Sequence, residues 1–419
     1  MHNEKLKTFL SSDDITSFLS SDKKEVIGYS YEWEKEGVVH LYTFRLNHSF
    51  GYQSGCLFKR NSTCELKDFE DGISFVVIIN DADTKVYCHR DHKISEISFE
   101  LIPGKEDLYS RSKGLIEIDI LAKKHVAIVG LGSFGSQIAI ELAKAGVGEF
   151  SLFDFDRVEL HNLGRHTCNI NDLGRLKVNA IEDAILGKNP YAIIHKYPIN
   201  IIDNVDIFQN IVPKIDLLIC ATDNNDSRFL ISSLLHKFQK VGIFGRAITR
   251  AAGGDVFRFK PGGPCYSCLL GTRFINPHDE EISSEEAGRR SGAIPAYASP
   301  RDINTMVQVG LSIDIQPICN LMLKLSLLEL SKGMASGITS LEDDLKYDAY
   351  IWANRRDNNF KNWHPFYKSG AHQTILKWYG INIPKDEECV ICSEKPKLDI
   401  GNISPDQNYD ELSKLNVEL

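Results

Sequence analysis

The stretch His125–Asp156 reads HVAIVGLGSFGSQIAIELAKAGVGEFSLFDFD, and it decides the fold. An apolar run from His125 to Val129 feeds Gly130-x-Gly132-x-x-Gly135. An amphipathic segment follows, and then a second apolar run ending at Asp154. This is strand, glycine turn, helix and strand, with an acidic residue about 20 positions past the glycines. Glycines let a backbone approach a phosphate, and a helix N-terminus offers N–H donors and partial positive charge. Asp154, at the carboxyl end of its strand, is placed to accept hydrogen bonds from a ribose. A glycine fingerprint alone says only that a nucleotide binds.

Residues further along narrow the chemistry. Asn162-Leu163-Gly164-Arg165, Gly174-Arg175-Leu176-Lys177 and Thr222-Asp223-Asn224 follow in order, the last closing an apolar strand from Ile215 to Cys220. A nicotinamide-dependent oxidoreductase would leave Arg165, Lys177 and Asp223 without a task. A triphosphate site uses all three. Arg165 and Lys177 neutralise β- and γ-phosphate charge, and Asp223 offers an oxygen to Mg²⁺.

The glycines, the D-F-D of Asp154 and Asp156, the N-L-x-R, the G-x-x-K and the T-D-N together resemble the adenylating enzymes of the ThiF/MoeB/HesA family. That family includes the activating enzymes for ubiquitin-like proteins. The resemblance implies ATP-dependent adenylation of the C-terminal glycine of a ubiquitin-like protein, with a conjugating enzyme as a further partner. Gly130, Gly132 and Gly135 would cradle ATP and Asp154 its ribose. Asn162, Arg165 and Lys177 would steady the phosphates, and Asp223 would hold Mg²⁺. Asp156 sits beside the nucleotide as a supporting or capping residue, and Asn224 and Arg228 cap and pair locally. Family members also carry an R-Y-x-R-Q stretch whose arginine enters the partner subunit's ATP site. Arg111, in Tyr109-Ser110-Arg111-Ser112, is the matching position within divergent surroundings. It implies a homodimer; the competing reading is a solvated linker arginine. A short peptide is an alternative substrate, and a non-catalytic scaffold an alternative role.

Composition sets the outer limits. The 419 residues suffice for two or three domains, and 42% apolar and 25% charged residues are ordinary for a globular protein. A net charge of −9 with no basic block argues against nucleic acid and anionic membranes. No apolar run has the length of a membrane span, and MHNEKLKTFLSSDD does not read as a signal peptide. Ten cysteines in such a chain fit reduced thiols in the cytoplasm better than a disulfide framework.

The pattern divides the chain into four segments. Residues 1–108 read as a small α+β domain for docking or packing, with strand-like runs at Val38–Arg45, Phe75–Ile79 and Ile97–Leu101. Residues 109–335 read as the adenylation domain, a Rossmann-like, mostly parallel sheet with helices on both faces. Its helices are expected at 134–145, capped by Gly146, and near 173–186, 204–211 and 226–239, with strands at 192–197, 215–221 and 241–245. A long polar loop at 271–301 leads to an apolar helix at 303–333 that Pro317 kinks or splits. Residues 336–395, with Trp352, Arg355, Arg356, Trp363 and Trp378, complete a metal site, and 396–419 read as a flexible tail.

That metal site rests on two C-x-x-C knuckles, Cys265/Cys268 and Cys389/Cys392, about 120 residues apart. Four thiolates close a structural zinc site; a redox dithiol or unrelated thiols are the alternatives. Cys56, Cys64 and Cys88 lack metal spacing and read as small core residues.

Family members usually pass the acyl group to a cysteine in the loop before the long helix, yet Gly271–Ile303 contains none. Three readings stay open. The reaction stops at the acyl-adenylate, or alanine at Ala296 or Ala298 replaces an original cysteine, or another cysteine serves. For the last, Cys168 near Arg165 is the candidate, ahead of Cys319 and Cys220, which read as core.

Overall fold

The computed structural model describes residues 6–43, 52–80, 83–90, 92–102, 108–112, 114–115, 118–272, 285–290, 294, 298–299, 310–335, 337–356 and 374–393. Ala296, Trp363, the tail from 396 and residues 303–309 of the expected helix lie outside them. Two compact units divide at Arg111/Ser112.

The first unit holds strands β1 (Lys7–Ser11), β2 (Glu25–Trp33), β3 (Val38–Tyr42), β4 (Tyr52–Arg60), β5 (Ile73–Asn80), β6 (Asp83–Arg90), β7 (Lys93–Ile97) and β8 (Phe99–Ile102), and helix α1 (Ser12–Ser20). They form one mixed sheet in the order β7-β6-β5-β4-β2-β3-β1-β8. The α+β expectation holds. The apolar run Phe75–Ile79 is buried on both faces: Phe75, Val77 and Ile79 join the core under α1, and Val76 and Ile78 pack on the other side with Leu57. Cys56 and Cys88 are core residues here.

The second unit carries strands β9 (His125–Val129), β10 (Glu149–Phe153), β11 (Ile193–Tyr197), β12 (Leu217–Cys220), β13 (Val241–Ala247), β14 (Gly253–Phe259), β15 (Ala349–Ala353) and β16 (Lys377–Ile381). Its helices are α2 (Ile118–Leu121), α3 (Gly135–Ala145), α4 (Lys177–Leu186), α5 (Val205–Ile211), α6 (Asn225–Phe238), α7 (Tyr266–Gly271), α8 (Glu285–Arg290) and α9 (Ser312–Leu330). The sheet order is β11-β10-β9-β12-β13-β14-β15-β16. The first five strands are parallel and the last three antiparallel. Helices cover both faces. Ile138 of α3, Val178 of α4 and Met322 of α9 share one core, while Phe208 of α5, Leu235 of α6 and Tyr266 of α7 share the other. Parallel strands buried on both sides read as unbroken apolar runs, as HVAIV and LLIC do.

Helix α3 ends where expected, with Gly146 left-handed at φ 99° and bonded back to Ala143 and Leu142. Helix α4 begins at Lys177, later than 173. Gly174 takes φ +81°, and Leu176 is extended because it bridges to Arg157, so no helix can start before Lys177. Pro317 does not split α9, which runs unbroken through it. Ile315, Ile318, Cys319, Met322 and Leu325 are all buried along that helix, and their packing outweighs the lost N–H. A short helix, α8, stands inside the stretch expected to be loop. Strands β15 and β16 lie between the two cysteine knuckles and extend the main sheet.

Candidate functional site

Strand order reverses beside β9: the chain runs from β9 to β10 and β11 on one side, then returns to β12 on the other. Ligands of open α/β sheets bind at such a switch, beyond the carboxyl ends of the strands. Gly130 follows β9, Asp154 follows β10 and Asp223 follows β12, so three separated motifs meet at this edge.

The glycines have different tasks. Gly130 has φ +86°, and a Cβ there would lie 2.6 Å from the Ala221 carbonyl oxygen. Gly135 lets α3 close on β9, since a Cβ would stand 1.8 Å from the Gly130 oxygen. At Gly132 a Cβ would meet only the His166 ring, at 3.8–3.9 Å. The space over Gly132 is therefore open to a ligand, as a phosphate cradle requires.

Asp154 is buried and its carboxylate already braces this loop, accepting from Leu131 N at 2.7 Å and Asp156 N at 2.9 Å. Burial pushes its pKa up, while Lys177 pulls it down. Lys177 is buried too, and its Nζ donates to Asp156 Oδ2 at 2.9 Å. Burial alone would lower the Lys177 pKa, but Asp154, Asp156 and Asp223 together hold it above the ordinary value. One ammonium thus sits among the three carboxylates expected in this site. Backbone pairing brings it there: Lys177 N bonds to Asp156 O, and Val158 and Arg175 bond alongside.

The Asn162–Arg165 turn is self-braced. Asn162 Oδ1 accepts from Glu159 N, and the Asn162 carbonyl accepts from both Arg165 N and His166 N. Asn162 therefore holds the turn that presents Arg165, which is itself buried. The Thr222–Asn224 turn is equally fixed. Asn224 caps α6 through Ser227 N, and Arg228 donates to the Thr222 carbonyl at 2.6 Å, so both act locally as expected. Asp223 stands exposed at its tip, an oxygen donor suited to Mg²⁺.

Two residues of this site are missing from the sequence reading. His166 has its ring against Gly132, and Nδ1 is buried with no hydrogen-bond partner among the described residues. Burial, then Lys177, Arg165 and His161, push its pKa down to about 3, so the ring is neutral at physiological pH. An orphaned imidazole beside two cations and an open glycine loop fits a phosphate-bearing ligand. Gln137 is the other, a polar residue on the buried side of α3 that donates to the Arg165 carbonyl at 3.1 Å. Gln137 departs from the apolar face of Ile138, Ala139 and Leu142, which is the one sequence signal that pointed to it.

Cys168 moves out of contention. It is buried in the main core, and burial pushes its thiol up to about 11, so almost no thiolate forms at neutral pH. Cys319 and Cys220 are core residues as expected. Arg111 is exposed in the 3₁₀ turn Ser110–Ser112. Ala298 is half-buried.

The two knuckles do meet. Cys265 and Cys389 sulfurs lie 3.3 Å apart, Cys268 and Cys392 3.4 Å, and Cys265 and Cys268 3.8 Å. All four are buried and within 4.8 Å of one another. Zn–S bonds of about 2.3 Å place tetrahedral sulfurs about 3.8 Å apart, so the donors fit zinc. Asp386 N and Ile391 N point at the Cys268 and Cys389 sulfurs, the usual support for thiolate ligands. Four thiolates fill a tetrahedral shell, and the cluster ties the C-terminal segment to α7. All ten cysteines are free of disulfides, and among the described residues no helix is long and apolar enough to cross a membrane.

The sequence profile of the ThiF family matches residues 109–345, more than half of the chain. Ubiquitin-like modifier-activating enzyme 5 of Caenorhabditis elegans is 30% identical over 193 residues, 42% of this chain and 46% of that protein. Adenylyltransferase and sulfurtransferase UBA4 of Eremothecium gossypii is 31% identical over 186 residues, 44% of this chain and 41% of that one. The chain spans about half the length of the relatives it matches. Among solved structures, E. coli MccB with ATP aligns at 17% identity and a TM-score of 0.46, covering 66% of this chain and 68% of that one.

Proposed function

The chain belongs to the ThiF family, and from that premise we propose that it adenylates the C-terminal glycine carboxylate of a ubiquitin-like protein. The carrying observation is a chain of neighbours at one sheet edge: the space over Gly132 is bordered by the His166 ring, His166 feels the charges of Lys177 and Arg165, and Lys177 feels Asp154, Asp156 and Asp223. The names of its relatives support the same substrate class. A carboxylate oxygen attacks the α-phosphorus of ATP, the new C(O)O–P bond forms, and the Pα–O bond to pyrophosphate breaks. A carboxylate is already a nucleophile and needs no general base. The catalytic burden is positioning and charge neutralisation.

In this reading Gly130, Gly132 and Gly135 shape the cradle, and Asp154 reaches the ribose. Arg165 and Lys177 face the phosphates, Asn162 and Asp156 hold those cations in place, and His166 adds a neutral donor. Asp223 would hold Mg²⁺, whose charge offsets that of the phosphates. Arg111 would act across a homodimer, and a conjugating enzyme would accept the activated modifier. Reduced thiols and a structural zinc suit the cytoplasm.

The test is Mg²⁺-dependent exchange of labelled pyrophosphate into ATP, with a ubiquitin-like protein ending in glycine as co-substrate. Asp223→Ala should abolish exchange. Arg165→Ala and Lys177→Ala should each lower it roughly 10²–10³-fold. Undiminished exchange by Asp223→Ala would reject the assignment. Exchange supported by a short peptide and not by the folded modifier would move the substrate to peptides.

A further inference from the structure

The hydrogen bonds around α3 single out a residue to which the proposed chemistry gives no task. Gln137 stands two positions after Gly135, inside the first turn of the helix that the glycine loop opens. It is buried, and its amide nitrogen donates to the Arg165 carbonyl oxygen at 3.1 Å. A carbonyl only accepts, so chemistry fixes which way this amide points. The amide oxygen then faces outward and accepts from the Nε2 of Gln316 on α9. Beside it Ser136 Oγ accepts from Thr167 N at 3.4 Å. The backbone on either side of His166 is thus strapped to the phosphate-binding helix. Gln137 and Gln316 meet in a cleft between α3 and α9, where Glu141 and Lys144 of α3 are the charged neighbours.

We propose that Gln137 is the positioning residue for Arg165, and that Gln316 locks its amide from α9. Within the Asn162–Arg165 turn the bracing comes from its own backbone and the Asn162 cap. The Gln137 bond joins it to the element that carries the glycine loop, so the guanidinium and the cradle share one frame. Preorganised charge of this kind loses its effect when its support loosens. Gln316 is separated from Gln137 by 179 positions, so α9 must be seated before the clamp is set.

The proposal rests on the reading of Arg165 as a phosphate ligand, and the test separates the two. Mg²⁺–ATP is titrated calorimetrically into the full chain and its variants, with thermal unfolding and zinc content as checks on folding. Gln137→Leu should weaken ATP binding about tenfold, the scale of one buried hydrogen bond. Gln316→Leu should weaken it less, since the bond to Arg165 remains. In an Arg165→Ala background, Gln137→Leu should cost nothing more. Gln137→Glu tests the donor itself. A carboxylate cannot donate to the Arg165 carbonyl, whereas the protonated acid can, so binding by this variant should recover as pH falls while wild type does not. A merely structural role predicts that binding recovers only in step with thermal stability, so recovered affinity at unchanged melting temperature reports the donor itself. Wild-type affinity in folded Gln137→Leu, or the same tenfold loss with Arg165 already removed, overturns the proposal. Wild-type affinity in Arg165→Ala overturns the reading beneath it.

Discussion

Gly130 and Gly132 are two positions apart, yet alanine should fail at them for opposite reasons. At Gly130 the backbone is left-handed at φ +86°, and an added Cβ meets the Ala221 carbonyl at 2.6 Å and its carbon at 2.9 Å. Those are main-chain atoms between β12 and Asp223 and cannot rotate aside. Left-handed backbone costs about 1–2 kcal/mol for a residue with a Cβ. With the collision added, Gly130→Ala should destabilise by roughly 3 kcal/mol or more. A unit of this size loses about 2–4 °C per kcal/mol, so melting should fall by roughly 6–12 °C. Gly132→Ala meets only the His166 ring, at ordinary contact distance, and should leave melting within about 2 °C. Its methyl, however, occupies the space over the loop, where a phosphate oxygen would sit about 2.9 Å from a backbone N–H. Losing one such charged hydrogen bond should raise the Kd for Mg²⁺–ATP at least about tenfold. Differential scanning fluorimetry and ATP calorimetry on both variants give the two readouts. A folded Gly132→Ala protein that binds ATP with wild-type affinity would refute the assignment of this loop to phosphate.

Three further expectations concern other parts of the second unit. Metal analysis should find one zinc per chain, and Cys265→Ser or Cys392→Ser should lower the melting temperature before any change in ATP contacts, because structural zinc binding is coupled to folding. His166 has a folded pKa of about 3 against an unfolded value near 6.5, so it favours the folded state above pH 6.5 and loses that contribution as pH falls toward 3. Between pH 6.5 and 5, His166→Gln should remove roughly 2 kcal/mol of the acid-induced loss, measured by urea unfolding at both values; an unchanged acid limb would contradict the neutral buried ring. Finally, incubation with ATP and substrate should leave no thiol-cleavable adduct on the chain, since Cys168 is buried and weakly acidic. An adduct that appears with Ala298→Cys would place a thiol acceptor in the preceding loop, and one on the unaltered chain would reject the adenylate endpoint.

The parts legible in sequence share one property: each is settled over a few residues. Strand, glycine turn and helix follow from hydrophobic period and from Gly130 and Gly146, whose left-handed backbone is a local demand. Each C-x-x-C places two sulfurs by its own spacing. The motif residues stand out in sequence because triphosphate chemistry, which the proposal assigns to them, restricts which side chains can serve.

What the tertiary structure decided lies between distant segments. Cys265 meets Cys389 across 124 positions, and Gln137 meets Gln316 across 179. β15 and β16 join the main sheet from the stretch 336–395, which in sequence reads only as completing the metal site. Lys177 finds Asp156 because extended backbone at Leu176 pairs with Arg157, which also delays the helix to Lys177. Pro317 stays inside an unbroken α9 because the helix is buried along its length. The protonation of His166 and Cys168 is likewise invisible in one dimension, for burial and neighbouring charge set it and both come from folding. Local steric rules act along the chain and can be read from it. Packing and electrostatics act through space, so only the folded chain displays them.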